Sequence, residues 1–322
     1  EDFESWGVGS NFSEYYVGKD KILEIKTKLT DKKVPFEIMI DDLQRAIDVE
    51  NPPLTDEEID ELVGRKGHRL TWQAYHRLDD IHGYLDYLAQ TYPNLVTLGN
   101  LGSSVEGRPL KYVKISSGES NAKAFWIDGG IHAREWISPS VVSYIASEFV
   151  ENRDEHLADI KGIDFYILPV MNPDGYEYTH QRDRLWRGYK WGGKGSSKQQ
   201  CKEIYGGSGP FSEPETASVS RFISSIQNTK YILYPYGYDV NQPAPNEKEL
   251  QQVGLKAAQA IRATTGADDW AKGAANIQYT YTIELRDRGQ YGFILPAQYI
   301  LPTAKESLAA IKAIASEISS AP

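Results

Sequence analysis

The sequence predicts an α/β domain, with a mixed, mostly parallel sheet covered by helices, preceded by a smaller α+β segment. Three observations carry this prediction. Continuous apolar runs such as "AFWI" and "FYILPV" suit strands buried on both faces. Segments with apolar residues at helical spacing alternate with those runs from Arg69 onward. The stretch before Arg69 is more highly charged, with only short apolar patches, and ends in a linker-like run.

Taken in order, "KILEIKTKL" reads as a strand running into a helix, "VPFEIMI" alternates like a strand, and "DDLQRAID" looks helical. "NPPLTDEEIDELVGRKGHR" joins two prolines, an acidic run and a basic cluster, and reads as a linker. Its end, Arg65-Lys66-Gly67-His68-Arg69, is either a trypsin-sensitive exposed segment or an ordinary basic loop. Leu78, Ile81, Leu85 and Leu88 then mark a helix in "HRLDDIHGYLDYLAQTY". Further helices are expected in "SPSVVSYIASEFVEN" and "KELQQVGLKAAQAIRA", and strands in "NLVTLG", "LKYVKI", "KAFWID", "DFYILPV", "KYILYPY" and "YTYTIEL". Pro302, Thr303 as N-cap and Glu306 three residues on form a capping box for the last helix, whose apolar stripe is Leu308, Ile311, Ala315 and Ile318.

Composition narrows the function. With 322 residues, 40% hydrophobic and 25% charged, the chain has the make-up of a globular protein, large enough for one large domain and a smaller one. A formal charge of −10 argues against nucleic acid or anionic membrane as partner and is compatible with a cationic substrate. No apolar run is long enough to span a bilayer. The opening "EDFESWGVGS" lacks the pattern of a secretory leader. The single cysteine, Cys201, defines neither a disulfide framework nor a thiolate metal site.

The chemistry concentrates in "GGIHAREW", which follows an apolar strand. Ligands bind beyond the carboxyl ends of strands in α/β sheets, which is where His132 and Glu135 fall. Imidazole nitrogen and carboxylate oxygen suit Zn²⁺, although a bare His-x-x-Glu recurs often by chance. Glu284, near the end of another apolar strand, is either a general base for a water at a metal or the ion-pair partner of Arg286. Asn172-Pro173-Asp174-Gly175 forms a turn; beyond it, Arg184 and Arg187 flank Trp186 and either stabilise a developing oxyanion or form a solvated basic face.

The segments "EGRPLKYVKIS", "IDGGIHAREWISPS", "ILPVMNPDGYEYTH", "DRLWR", "SEPE", "ILYPYGY" and "IELRDRGQYGFILPA" occur in one order over residues 69–305. In this the chain resembles the zinc carboxypeptidases of the digestive carboxypeptidase A/B family. The resemblance implies a carboxypeptidase-like catalytic domain over residues 69–322 and a truncated propeptide with activation linker over 1–68. "VPFEIMIDDLQRAID" is similar to the end of that propeptide, and the resemblance leads to the expectation that its front strand and helix are missing. By position, the resemblance makes His132 and Glu135 zinc ligands, Glu284 the general base and acid, and Arg187 the group that polarises the scissile carbonyl. It places Arg134 on the substrate path. It also puts Asp268 in the side-chain pocket, where a carboxylate would pair with a C-terminal Lys or Arg; the adjacent Asp269 leaves the register open by one residue. The implied cofactor is Zn²⁺ and the implied partners are peptide C-termini and a trypsin-like activating protease, with no nucleic acid and no membrane. The implied form is a secreted, monomeric zymogen.

Three pieces of the family pattern have no match. "WGGKGSSKQQ" stands where an Asn-Arg carboxylate clamp and the partner of Cys201 belong. "ISSIQNTK" runs straight into "YILYPYGY" without the histidine that supplies the third zinc ligand. "IRATT" replaces a loop carrying a substrate-covering tyrosine. The histidines are His68, His76, His82, His132, His156 and His180, so none lies at the third-ligand position. The alternative expectation is therefore an inactive relative or an aberrant gene product.

Overall fold

A computed structural model describes residues 3–8, 13–64, 67–188, 207–208, 211–226, 229–231, 265–266, 280–283, 285–286 and 290–320. The chain opens with an antiparallel hairpin of β1 (Phe3–Val8) and β2 (Ser13–Val17). Three helices follow: α1 (Ile22–Asp31), α2 (Leu43–Glu50) and α3 (Asp56–Gly64). Asp42 caps α2 by accepting from the Arg45 amide at 3.0 Å.

The body begins with α4 (Leu78–Thr91), then β3 (Val96–Ser103), β4 (Pro109–Ile115), β5 (Lys123–Asp128) and α5 (Ile137–Glu151). A 3₁₀ turn and the short α6 (Leu157–Ile160) lead to β6 (Ile163–Leu168) and α7 (Pro173–Gln181). Next come α8 (Pro214–Ser225), β7 (Thr229–Tyr231), the two-residue pair β8 (Thr265–Gly266) and β9 (Thr282–Ile283), and α9 (Ile300–Ser320). The main sheet runs β3-β4-β6-β5-β7. β5 is parallel to both neighbours, whereas β4 is antiparallel to β3 and β6. The sheet is therefore mixed, with its parallel strands on the β5 side. Phe165 of β6 is fully buried, stacking on Phe125 of β5 and packing against Phe149 of α5. The main core lies between this sheet, α4, α5 and α9, and a smaller cluster built on Trp126, Leu168 and Val219 sits under α8.

Several local expectations are corrected. "KILEIKTKL" is helical from Ile22, with no strand at its start. "VPFEIMI" pairs with no strand among the described residues, and Val34, Phe36, Ile38 and Met39 stay 44–46% exposed. The acidic half of the linker forms α3, where Asp56, Glu57 and Glu58 fall in the first turn and favour the helix dipole. Thr55 and Glu58 build a capping box there: the Glu58 carboxylate accepts from the Thr55 amide at 2.7 Å, and Thr55 Oγ1 accepts from the Glu58 amide at 3.3 Å. The capping box expected at the last helix does not form. α9 begins at Ile300, the Thr303 hydroxyl donates back to the Tyr299 carbonyl at 2.6 Å, and Glu306 pairs with Arg286. The Asn172–Gly175 turn is a helix start, with Asn172 Oδ1 accepting from the Gly175 amide at 2.9 Å. "KELQQVGLKAAQAIRA" and most of "KYILYPY" lie outside the described residues.

Candidate active site

The site grows from the end of β5. Beyond Asp128 the chain passes Gly129 and Gly130 alongside the end of β6. The Gly129 amide donates to the Leu168 carbonyl at 3.0 Å, and the Met171 and Asn172 amides return bonds to the Gly129 and Gly130 carbonyls at 2.8 and 3.0 Å. A Cβ on Gly129 would lie 2.8 Å from Ser138 Oγ and Val142 Cγ2 and 3.1 Å from the Pro169 carbonyl oxygen. Gly130 has φ +63°, the left-handed region that glycine favours. The double glycine thus lets two parallel strand ends approach closely and throws residues 131–136 over the top of the sheet.

His132 and Glu135 then share a tight turn, closed by the Glu135 amide bonding the His132 carbonyl at 3.2 Å. The Ala133 amide bonds the Arg187 carbonyl at 2.9 Å, tying the turn to the segment after α7. His132 Nδ1 lies 3.0 Å and 3.1 Å from the two Glu135 oxygens, and Arg187 Nη2 lies 3.3 Å from the same nitrogen. Both side chains keep solvent access, 27% for His132 and 30% for Glu135. Burial opposes ionisation of Glu135, but His132, then Arg187 and Arg134, outweigh it and hold its carboxyl below the usual range. His132 and Glu135 line a cavity of about 390 Å³ together with Asp128, Trp136, Tyr281 and Phe293. Burial pushes the Asp128 carboxyl up to about 6, against the bond it accepts from Trp126 Nε1 at 2.6 Å.

The structure thus brings His132, Glu135 and Arg187 together. Arg134 is adjacent; its Nη1 donates to the Leu185 carbonyl at 3.0 Å and its guanidinium lies over the Phe293 ring at 3.7 Å. Glu284, Asp268 and Cys201 lie outside the described residues. Arg184 is neither an oxyanion group at this site nor part of a solvated face. It is buried and bound to Glu50, a contact that no local sequence signal announces because 134 residues separate the two. Asp128 carries the same sequence signal as Glu284, a carboxylate ending an apolar strand, four residues before His132.

An imidazole nitrogen and a carboxylate converging within 3.1 Å suit a divalent cation as two of its ligands. Among the described residues no group of three His, Cys, Asp or Glu side chains could hold a metal ion. All six histidines are described, and the other five are engaged elsewhere. His68 packs on Tyr84 and Tyr87, His76 bonds Thr71, His82 is buried in α4, His156 bonds Glu148 and His180 stacks on Trp136. A third protein ligand, if the chain supplies one, is therefore not a histidine.

The zinc carboxypeptidase family model matches residues 81–310. Carboxypeptidase B of Astacus astacus is 35% identical over 296 residues, covering 76% of this chain and 97% of that protein. Mouse (Mus musculus) carboxypeptidase A4 is 34% identical over 366 residues, covering 96% of this chain and 85% of that protein. Among solved structures, thrombin activatable fibrinolysis inhibitor superposes with a TM-score of 0.80 at 29% identity, covering 98% of this chain and 93% of that one. The carboxypeptidase A of Helicoverpa armigera gives 0.79 at 26% identity, covering 99% and 92%. No helix among the described residues is long and apolar enough to cross a membrane.

Proposed function

The chain belongs to the zinc carboxypeptidase family, and on that premise we propose that it is a carboxypeptidase with a preference for C-terminal Lys and Arg, made as a secreted, monomeric proenzyme. In this reading residues 1–68 form the propeptide and activation linker, a trypsin-like protease cuts the linker, and residues 69–322 form the catalytic domain. The observation that carries it is the convergence of His132, Glu135 and Arg187 at the carboxyl end of β5.

His132 and Glu135 would hold the zinc, which when bound supplies Lewis acidity toward a carbonyl and toward water. The protein's own groups do the rest. Arg187 presents a permanent cation beside His132 and stabilises charge developing on the scissile carbonyl oxygen. Arg134, buried against Phe293, supports the substrate path from behind. Glu284 takes the proton from the attacking water and passes it to the leaving amine. Asp268 pairs with the basic side chain of the terminal residue. The net charge of −10 favours encounter with such cationic substrates.

The test uses trypsin-treated protein, added zinc and peptides ending in Arg, Lys or Phe, with products read by mass spectrometry. Release of Arg and Lys ahead of Phe is expected, and chelation abolishes it. No release of any terminal residue would refute activity, and preference for Phe would refute the basic pocket. A second reading is a peptide-holding relative that does not hydrolyse, favoured by the engagement of the other five histidines elsewhere. Metal analysis separates the two: one tightly held zinc per chain rejects the second reading.

A further inference from the structure

We propose that Glu50 and Arg184 are positioning residues through which the N-terminal segment fixes the neighbouring backbone at Arg134 and Phe293, beside the candidate site. The segment's grip on the body has an apolar part, the buried Leu62 of α3, and a polar part centred on α2. α1 buries no side chain, and the one buried residue of α2 is a glutamate, Glu50, 1% exposed. The apolar residues nearby, Val34, Phe36, Ile38, Met39 and Val49, remain exposed.

Arg184 divides its guanidinium among four partners. Its Nε and Nη2 grip the Glu50 carboxylate as a fork, with Nε to Oε2 at 2.7 Å. Its Nη1 donates to the Arg134 carbonyl at 2.7 Å and its Nη2 to the Phe293 carbonyl at 2.9 Å. Its face lies over the Trp136 ring at 3.8 Å. A planar fork can satisfy all four only in one orientation, and Glu50 sets that orientation.

Asn51 adds a parallel route. It exchanges two bonds with the Tyr75 backbone, at 2.9 and 2.8 Å, and the Tyr75 hydroxyl donates to the Leu295 carbonyl at 2.7 Å. Two adjacent residues of the N-terminal segment therefore reach the same stretch, 293–295, by separate paths. Removing the charge of Glu50 leaves a buried guanidinium without its counter-ion, and the carbonyls it holds lose their fixed donor. The idea deepens the proenzyme reading, but its test reads amide exchange and not hydrolysis, so the two fail separately.

The experiment is hydrogen exchange by mass spectrometry on the full chain, comparing wild type, Glu50→Gln, Arg184→Lys and the surface control Glu57→Gln. The reporting amides are Ala133, bonded to the Arg187 carbonyl, Glu135, bonded to the His132 carbonyl, and Ile294, bonded to the Tyr291 carbonyl. Both test variants should speed exchange in peptides carrying these amides by tenfold or more, with β4, β6 and α9 unchanged and the control silent. Faster exchange confined to α2 would reduce Glu50 to a local anchor and overturn the proposal. A uniform rise that includes the β5–β6 ladder would make the pair a general stability element and also overturn it, as would no change.

Discussion

Replacing Gly129 by alanine tests whether the approach of two strand ends sets the site. A Cβ there would stand 2.8 Å from both Ser138 Oγ and Val142 Cγ2, and 3.1 Å from the Pro169 carbonyl oxygen. Ser138 cannot rotate away without losing the bond its Oγ accepts from the Gly130 amide at 3.1 Å. Val142 is a β-branched residue in α5 with one favoured rotamer, and the carbonyl is backbone. The relief must come from moving the chain, at an overpacking cost of about 1–3 kcal/mol. In a chain of 322 residues that lowers the melting midpoint by roughly 1.5–4.5 °C. Gly83 gives the contrast: it sits inside α4, and a Cβ there meets nothing within 4 Å. Gly83→Ala should stabilise by about 0.5–1 kcal/mol through helix propensity alone. Differential scanning calorimetry should therefore show opposite shifts. A Gly129→Ala midpoint equal to or above wild type would refute the packing argument.

Phe165→Ala removes a fully buried ring packed on Phe125 and Phe149 and should cost about 3–5 kcal/mol in urea unfolding. Tyr176→Phe orphans the His76 carbonyl, which accepts from the buried hydroxyl at 2.6 Å, and should cost about 1–3 kcal/mol by the same assay. His82 supplies the pH prediction. Burial, then Lys111, depress it from 6.5 to about 4, so the folded chain resists a proton that the unfolded chain accepts. Its stabilising contribution is complete above pH 6.5 and is lost as pH falls toward 4, by an amount on the order of 3 kcal/mol. Unfolding titrations at pH 7, 5.5 and 4 should show that slope in wild type and a flatter one in His82→Leu. Finally, His132→Ala should lower zinc affinity at least tenfold by calorimetric titration, whereas His156→Gln, on the far-separated Glu148 pair, should leave it unchanged.

The body was legible because its signals are local. The apolar runs at 123–128 and 163–168 became buried strands, and the spacing of Leu78, Ile81, Leu85 and Leu88 became the buried face of α4. His132 and Glu135 could be paired from sequence because a turn of four residues needs no distant partner. What failed depended on context. "VPFEIMI" carries strand alternation, but a strand needs a neighbour and none among the described residues comes to it. Thr303 and Glu306 have capping-box spacing, yet the helix starts a turn earlier and Glu306 answers to Arg286 instead. The burial of Arg184 was invisible because its partner lies in a different part of the chain.

Two groups cannot sit within 4 Å of one ring centroid on the same face, so Arg184 and His180 bracket the Trp136 indole from opposite sides, at 3.8 and 3.9 Å. Glu50 grips the edge of the Arg184 guanidinium, and it emerges from the ribosome first. At about 5–20 residues per second, the 134 residues that separate it from Arg184 take roughly 7–27 s to synthesise. For that interval Glu50 has not yet met the guanidinium it grips in the folded chain. Arg184, the last of these residues to be translated, thus takes its orientation from the first, Glu50.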